Sequence, residues 1–150
     1  MKLVLPIALA ALLPAVAQAQ SRAEYYSSAA LQQTADSLHR ANAVSKVLGD
    51  HGTYQYVLVT RSATGGPEQH AKWTDVMIVQ SGSATVLLGG RYEGSHEDSP
   101  GELRGGTLVG ANAQHVSAGD LLIIPAGMPH QVQLSSGESV RYVTVKAPEK

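Results

Sequence analysis

The sequence predicts an all-β protein, an antiparallel sandwich or barrel, with a helical arm in front of it. About eight or nine short runs of β-branched and aromatic residues recur at intervals of about 8–12 residues, a spacing typical of such folds. The 150 residues include 15 Gly and 7 Pro but no Phe. Turns must therefore be frequent, and the core must be built from Val, Leu, Ile and Ala. The length suits a single domain.

The first 19 residues resemble a secretory signal peptide. Lys2 is a short basic region, residues 3–16 are apolar, and Ala17-Gln18-Ala19 is a small-x-small cleavage site. The apolar run is shorter than the about 20 residues that span a bilayer. We therefore expect cleavage after Ala19, export to the periplasm or beyond, and no membrane anchor in the mature protein.

The composition excludes several classes of function. The chain has no Cys, which removes disulfides, thiolate metal sites and Cys nucleophiles. Lys and Arg number 11 against 12 Asp and Glu, and no basic run is present, so we predict no nucleic-acid partner. Neither a Gly-rich phosphate loop nor a G-x-S-x-G motif occurs, so nucleotide binding and serine hydrolysis have no motif support.

The helical arm is predicted over residues 20–50. Apolar side chains at positions 31, 35, 38 and 48 fall near one face of a helix. Gly49 is a suitable stop, because glycine tolerates the left-handed conformation that ends helices. The Ala, Ser and Gln content leaves a frayed arm as the alternative.

The barrel domain is predicted over residues 51–150, beginning with a strand at 54–60. Residues 76–79 and 84–88 are expected to form a hairpin around Ser81-Gly82-Ser83, and residues 92–101 a polar loop. Further short strands are expected at residues 107–109, 114–116, 121–124, 131–134 and 140–146.

His130 ends a segment with a strongly constrained backbone. Residues 119–130 have the form G-x5-P-x-G-x2-H, in which a strand leads to a sharp turn at Pro125 and Gly127. Pro129 then stiffens the chain, and His130 begins the next strand in a defined direction, as a metal ligand or acid–base residue requires. The segment resembles the second sequence motif of the cupin family.

The first cupin motif, G-x5-H-x-H-x3–4-E-x6-G, is degenerate here but lies in register. Gly82 closes it, Asp75 stands in place of the family's Glu, and His70 occupies the second His position. Glu68 falls on the first His position and Ser62 on the leading Gly.

The resemblance covers roughly residues 54–145, although Leu134 falls where many cupins have Asn. It is closest to small secreted single-domain cupins of the conserved-barrel type, whose centre reads Gly-Glu-x-Arg-Gly, here residues 101–105. It implies a jelly-roll barrel, the double-stranded β-helix, and a homodimer, since homodimers are common in the family.

Four residues are candidate metal ligands. Glu68 and His70, two apart on an expected strand, point to one face, and Asp75 and His130 would reach the same place from neighbouring strands. Two imidazoles with one or two carboxylates suit Fe(II), Mn(II), Ni(II) or Zn(II). The family's own set is three His and one Glu, so this chain would keep two His and a carboxylate.

The same residues allow a site without a metal. Many cupins have lost the ion and keep the barrel as a binding pocket or an oligomer core. Asp75 could bond a backbone N–H, and Glu68 could be a solvated residue at the rim. Lys72 would oppose a metal if it faced inward, or it could pair with either carboxylate.

Alternation along the strands extends the predicted pocket. Met77 and Val79 share a face with Asp75, and Val132 shares one with His130, so all three should line the interior. Trp73 is expected in the turn between the two ligand strands, either as a stacking platform or lid or as a plug at the end of the barrel.

Two functions follow from the resemblance. In the first, the protein is an exported cupin with a divalent metal ion that acts on or binds a small organic molecule, as cupin dioxygenases, isomerases and lyases do. In the second, it is a metal-free cupin that binds a small molecule or only dimerises, with the arm covering edge strands. The sequence leaves open whether a reaction occurs.

Overall fold

The computed structural model describes residues 23–149, so the predicted signal peptide lies outside the described residues. One helix, α1 (Ser28–Arg40), precedes the strands. The strands are β1 (Ser45–Asp50), β2 (Gln55–Arg61), β3 (Glu68–His70), β4 (Trp73–Leu88), β5 (Arg91–Glu93), β6 (His96–Ser99), β7 (Glu102–Arg104), β8 (Thr107–Val109), β9 (Asn112–Ser117), β10 (Leu121–Ile124), β11 (His130–Gln133) and β12 (Val140–Pro148).

The strands form a curled antiparallel sheet in the order β1-β2-β12-β4-β11-β3-β7-β6, with β9 and β10 also paired to β4. The first part of β4 pairs with β12 and β10, and its last part pairs with β11 and β9. The long strand β4 therefore belongs to both halves of the barrel. The predicted all-β fold with a helical arm is confirmed.

The predicted hairpin around Gly82 is wrong, because β4 runs without interruption from Trp73 to Leu88. Gly82 has φ +75°, and a Cβ there would overlap the carbonyl oxygen of Ser139, the residue before β12. This glycine lets a single strand bend from one half of the barrel into the other. Glycine between two β-rich runs therefore marks a bend here and not a reversal of the chain.

The helical arm is shorter than predicted. The helix ends at Arg40, Asn42 takes a positive φ of 50°, and the chain then forms β1, which pairs with β2. Gly49, expected to stop the helix, lies in this strand at an irregularity of the register. Val44 and Val47 favour a strand, and the open side of β2 supplies a partner for it.

The polar segment at residues 92–101 is also more ordered than predicted. It contains the end of β5 and all of β6, and β6 pairs with β7. Strand β7 pairs in turn with β3 and so adds the Gly-Glu-Leu-Arg-Gly segment to the barrel wall, whereas β5 pairs with β8 in a separate two-stranded sheet.

Two apolar clusters lie on opposite faces of the sheet. The larger fills the barrel and includes Val57, Val59 and Tyr142. The smaller lies under α1, where Leu31, Ala35 and Leu38 pack on Leu58 of β2, with Val143 beside them. Within residues 23–149, no helix is long and apolar enough to cross a membrane.

Candidate metal and ligand site in the barrel

A cavity of about 150 Å³ lies inside the barrel. Four strands, β3, β4, β11 and β12, each turn alternate side chains into it, and β1, β7 and β10 add one residue each. Its lining combines two carboxylates, two imidazoles and two cationic side chains with apolar and hydroxyl side chains. The residues are Ser45, Glu68, His70, Asp75, Met77, Arg104, Ile124, His130, Val132, Tyr142, Thr144 and Lys146.

Glu68, His70 and His130 bring three ligand atoms within 4.8 Å of one another. The Glu68 Oε1 atom lies 3.5 Å from His130 Nε2, and Oε2 lies 3.8 Å from His70 Nε2. Atoms that bind one ion at about 2 Å are at most about 4 Å apart. The two carboxylate–imidazole separations therefore fit a single divalent ion, and the three atoms together would draw slightly closer around it.

Each imidazole is oriented by an acceptor on its outer side. His70 Nδ1 lies 2.5 Å from Glu102 Oε2, and His130 Nδ1 lies 3.0 Å from the carbonyl oxygen of Met128. A carboxylate oxygen and a carbonyl oxygen are acceptors, so each Nδ1–H donates to its partner and each Nε2 is directed towards the cavity. Metal-binding histidines are usually held in this way.

A lysine that the sequence analysis missed lies at the same place. Lys146 Nζ donates to Asp75 Oδ1 at 2.8 Å and lies 2.9 Å from His70 Nε2. Lys72, the lysine considered from sequence, is exposed. Asp75 is buried, with Oδ2 3.4 Å from His70 Nε2 and 3.7 Å from His130 Nε2. Its pairing with Lys146 sets it apart from the group of Glu68, His70 and His130.

Arg104 and Glu102 are the other residues missed. Arg104 donates to Glu68 Oε2 and, at 3.3 Å, to Glu102 Oε2. The Gly-Glu-Leu-Arg-Gly segment was noted only as a feature of the resemblance. Since residues 102 and 104 are two apart on β7 and β7 pairs with β3, both charges face the predicted ligands.

The surrounding charges shift the pKa values of the site. Burial raises the pKa of Glu68, but the imidazole of His130 and the charge of Arg104 outweigh it, and the pKa lies far below its usual value. Burial likewise opposes ionisation of Asp75, but His70 and Lys146 hold its pKa below the ordinary range. Burial lowers the pKa of His70, but hydrogen bonds with Asp75 and Glu102 raise it overall.

The predicted pocket residues separate into two groups. Met77 and Val132 line the cavity. Val79 is buried in the core and does not line it. Trp73 lies at the start of β4 opposite Pro148, not in a turn, and it also lies outside the cavity. It shares a face with Asp75, but it is at the end of the strand and so misses the cavity.

One buried polar atom in the cavity has no partner. The Oγ1 atom of Thr144 makes no hydrogen bond to any described residue. A buried hydroxyl is seldom left unpaired. A bound molecule with a polar group fits this position, next to the three ligand residues.

The family model described as AraC-like ligand binding domain matches residues 53–149. The chain belongs to this family. It is a cupin-type domain of a small-molecule-binding kind, which confirms the resemblance to cupins. No curated protein sequence matches the chain.

Two solved structures show the same fold, and a third is similar at a TM-score below 0.5. The Bacillus halodurans protein BH2720 is 20% identical, with a TM-score of 0.56, and the match covers 78% of this chain and 79% of that one. An uncharacterised conserved protein with a double-stranded β-helix domain from Klebsiella pneumoniae is 21% identical, with a TM-score of 0.52 and coverage of 70% and 76%. A cupin 2 conserved barrel domain protein from Rhodopseudomonas palustris is 16% identical, with a TM-score of 0.49 and coverage of 71% and 62%.

Proposed function

We propose that this cupin-type domain binds a divalent metal ion through Glu68, His70 and His130 and holds a small organic molecule beside it. The observation that supports this most is the orientation of the two imidazoles. Both are held at Nδ1 by an outer acceptor, so both Nε2 atoms face the carboxylate of Glu68. Two imidazoles and one carboxylate suit Fe(II), Mn(II), Ni(II) or Zn(II).

The chain's own groups shape what can bind. A divalent ion here would supply a Lewis acid that polarises an oxygen of the bound molecule. Met77 and Val132 limit its size, and the Thr144 hydroxyl is available to a polar group on it. Arg104 holds one carboxylate oxygen of Glu68, which leaves the other oxygen for the ion. The small volume favours a compact molecule or one end of a longer one.

Metal content is the direct test. We expect near-stoichiometric iron, manganese, nickel or zinc in protein purified without chelator, measured by elemental analysis. His130→Ala should reduce the content to trace level, and His115→Ala, an exposed histidine on β9, should not. A metal-free protein whose melting temperature does not respond to added Mn(II), Fe(II), Ni(II) or Zn(II) would rule out the proposal.

One observation favours a metal-free pocket as the second candidate. The ammonium of Lys146 already contacts both Asp75 and His70, so a fixed cation sits at the edge of the ligand group. The variant Lys146→Met separates the two candidates. If an ion binds, the variant should bind it at least as tightly; if Lys146 serves in its place, the variant should lose stability and gain no response to metal ions.

We also propose that the barrel forms a homodimer through the outer face of β10. Leu121 and Ile123 are 61% and 57% exposed, and Leu121 pairs with Ile78, also exposed. Such a patch marks an interaction site. The arm packs on its own barrel, which supports the β10 face and not the arm as the contact. Light scattering should give twice the chain mass, and Leu121→Lys should give the mass of one chain, whereas deleting residues 21–48 should not.

We further propose export to the periplasm or beyond, supported by residues 1–19 of the sequence. Amino-terminal sequencing of the protein from a periplasmic fraction should begin at Gln20. A protein that retains Met1 in the cytoplasmic fraction would contradict this proposal.

A further inference from the structure

A cavity of about 670 Å³ lies outside the barrel, where the segment before α1 meets the outer face of the sheet. Its volume is within the range of about 300–1,000 Å³ that is usual for small-molecule sites. Among residues 23–149, it shares no lining residue with the barrel cavity. It is therefore a separate candidate site.

The strand register places the wall of this cavity on the outer face of the sheet. Val143 lies opposite Leu58 on β2 and opposite Ile78 on β4, and residues directly opposite each other share a face. Leu58 packs under α1, so this face points away from the barrel interior. Tyr56, two residues before Leu58, is on the same face. One face of three paired strands therefore supplies Tyr56, Val143 and Ile78 to the cavity.

Aromatic rings form one side of the cavity. The rings of His51 and Tyr54 stack with their centroids 4.8 Å apart, and the ring of Tyr56 lies 5.4 Å from Tyr54 and 5.8 Å from His51. Tyr26 lines the cavity from the segment before the helix, and its hydroxyl donates to the carbonyl oxygen of Leu48 at 3.0 Å. Tyr26 and Tyr54 are each 37% exposed. Rings that are exposed and yet held in place can bind a ligand with little loss of side-chain entropy.

A single carboxylate lies against these rings. Glu24 Oε1 is 3.2 Å from His51 Nε2, and Glu24 Oε2 accepts from the Tyr26 hydroxyl at 3.2 Å. Glu24 is the only acidic residue among the described residues that line the cavity, and none of them is lysine or arginine. Aromatic faces attract cations, and a carboxylate without a competing ammonium or guanidinium group adds to that attraction. The chemistry of the wall therefore favours a positively charged ligand.

Gly49 leaves the space in which these groups meet. A Cβ at this position would lie 3.0 Å from Glu24 Oε2 and 3.3 Å from both His51 Nε2 and Tyr56 Cδ2. Gly49 also lies at the irregularity in the register of β1, and β-bulges often re-aim side chains next to functional sites. The glycine that was expected to stop the helix instead shapes this cavity.

We propose that this cavity is a second binding site, which takes an organic ammonium ion with apolar substituents. The ammonium group lies against the rings of Tyr54 and Tyr56 and near the carboxylate of Glu24, and the substituents contact Ile78 and Val143. Aromatic rings bind such cations within about 6 Å of the ring centre. The site is independent of the barrel cavity and of any metal bound there.

NMR titration with choline and with its uncharged isostere 3,3-dimethylbutan-1-ol, in the presence of chelator, tests the proposal. We expect saturable binding of choline that is at least tenfold tighter than that of the alcohol, because the two molecules have the same shape and differ in charge. The largest chemical-shift changes should be at Tyr54, Tyr56 and Glu24. No saturable binding of choline, equal affinity for the two molecules, or changes centred on His70 and His130 would overturn the proposal.

Matched variants test the ring and the charge separately. Tyr54→Leu keeps an apolar side chain but removes the aromatic face, so it should weaken choline binding at least threefold. Tyr25→Leu, at a tyrosine that is 87% exposed and does not line the cavity, should leave the affinity unchanged. Glu24→Gln should also weaken choline binding at least threefold and leave the affinity for the alcohol unchanged, whereas Glu93→Gln, on the distant strand β5, should change neither. Wild-type affinity for choline in both Tyr54→Leu and Glu24→Gln would show that the inference is wrong.

Discussion

The arginines of this protein fall into two groups. In the barrel, Arg104 lies between the carboxylates of Glu68 and Glu102. Arg61 and Arg141, on opposite faces of the paired strands β2 and β12, have no carboxylate partner within residues 23–149. The barrel cavity itself is lined by two carboxylates, Glu68 and Asp75, and by two cationic side chains, Arg104 and Lys146, so the candidate ligands lie in a balanced set of charges.

Alternation along a strand produces both environments. On β12, Tyr142, Thr144 and Lys146 face the barrel cavity, while Arg141 and Val143 face the helix. One strand can therefore present different side chains to the barrel and to the helix without any change of backbone. The two faces of β12 differ in the side chains that surround them. On the barrel face, β3 and β7 supply carboxylates, whereas on the helix face α1 and the end of β2 supply mostly neutral polar groups.

Gly82→Ala should have the largest effect, because it disturbs β4, the strand that belongs to both halves of the barrel. The new methyl group would overlap the Ser139 carbonyl at a residue with φ +75°. The strain and the overlap should lower the free energy of unfolding by about 3 kcal/mol or more. Urea unfolding measures this, and metal binding should be weakened with it.

Gly137→Ala is the matched control for that experiment. Gly137 has φ +81°, but the position of its Cβ is open. Only the left-handed conformation then opposes the substitution, at about 1–2 kcal/mol. Equal losses in the two variants would mean that the close approach of β4 to β12 is not what requires Gly82.

Arg104→Met should have the next largest effect, on the barrel cavity alone. It leaves Glu68 and Glu102 without their shared cation, which should cost about 1–3 kcal/mol, since Arg104 is 35% exposed and partly screened. Arg91→Met breaks an ion pair whose arginine is 70% exposed and should cost less than about 0.5 kcal/mol. Urea midpoints at pH 7 compare the two variants. A smaller loss of stability in Arg104→Met than in Arg91→Met would show that Arg104 does not stabilise the carboxylates of Glu68 and Glu102.

Glu68→Gln should change the response to acid. The pKa values of Glu68 and Asp75 are lowered in the folded protein, so their stabilisation is present above about pH 4.5 and is lost as the pH falls below it, by at most about 1.4 kcal/mol per unit for each group. The raised pKa of His70 acts oppositely: its contribution is present below pH 6.5 and is lost as the pH rises.

Urea unfolding between pH 3 and pH 8, with chelator present, gives the free energy of unfolding as a function of pH. The curve should have an acid limb, where stability falls as the pH falls, and a second limb, where it falls as the pH rises. Glu68→Gln should flatten the acid limb and leave Asp75 as its main source. Asp98→Asn, at an exposed residue of β6, should retain the slope of the wild type. An acid limb that is as steep in Glu68→Gln as in the wild type would show that the Glu68 pKa is not shifted by folding.

Arg61→Met should have the smallest effect on stability. It tests an arginine that has no carboxylate partner in the described chain, for comparison with Arg104. The Arg61 Nε atom is unpaired, but its guanidinium lies close to the Tyr142 hydroxyl, so the free energy of unfolding should fall by less than about 1 kcal/mol. Chemical denaturation in chloride buffer measures it. A loss as large as that of Arg104→Met would show that Arg61 is structurally paired.

Much of the barrel was predictable because local signals were unambiguous. The turn at Pro125 and Gly127 and the alternation along β4 led to His130, Asp75 and Met77, and the structure buries all three or places them at the cavity. The errors occurred where a partner strand decided the conformation. Residues 45–50 form a strand because β2 is beside them, and Gly82 bends β4 because the Ser139 carbonyl is beside it.

The charged partners of the site could not be obtained from local pattern. Lys146 is 76 residues from His70 and Glu102 is 32 residues from it, and no spacing rule connects such distant positions. Arg61 and Arg141 carried no signal at all, since an arginine without a carboxylate can be recognised only when its surroundings are known.

The sequence by itself determined the all-β barrel, the family and the positions of Glu68, His70 and His130, because alternation and turn residues act over a few positions along the chain. Only the tertiary structure decided which charges meet. Strand order brought Lys146 and Arg104 to the candidate ligands, and it left Arg61 and Arg141 without a carboxylate partner in the described chain. Electrostatic contacts depend on distance in space, and distance in space is set by how the strands pair.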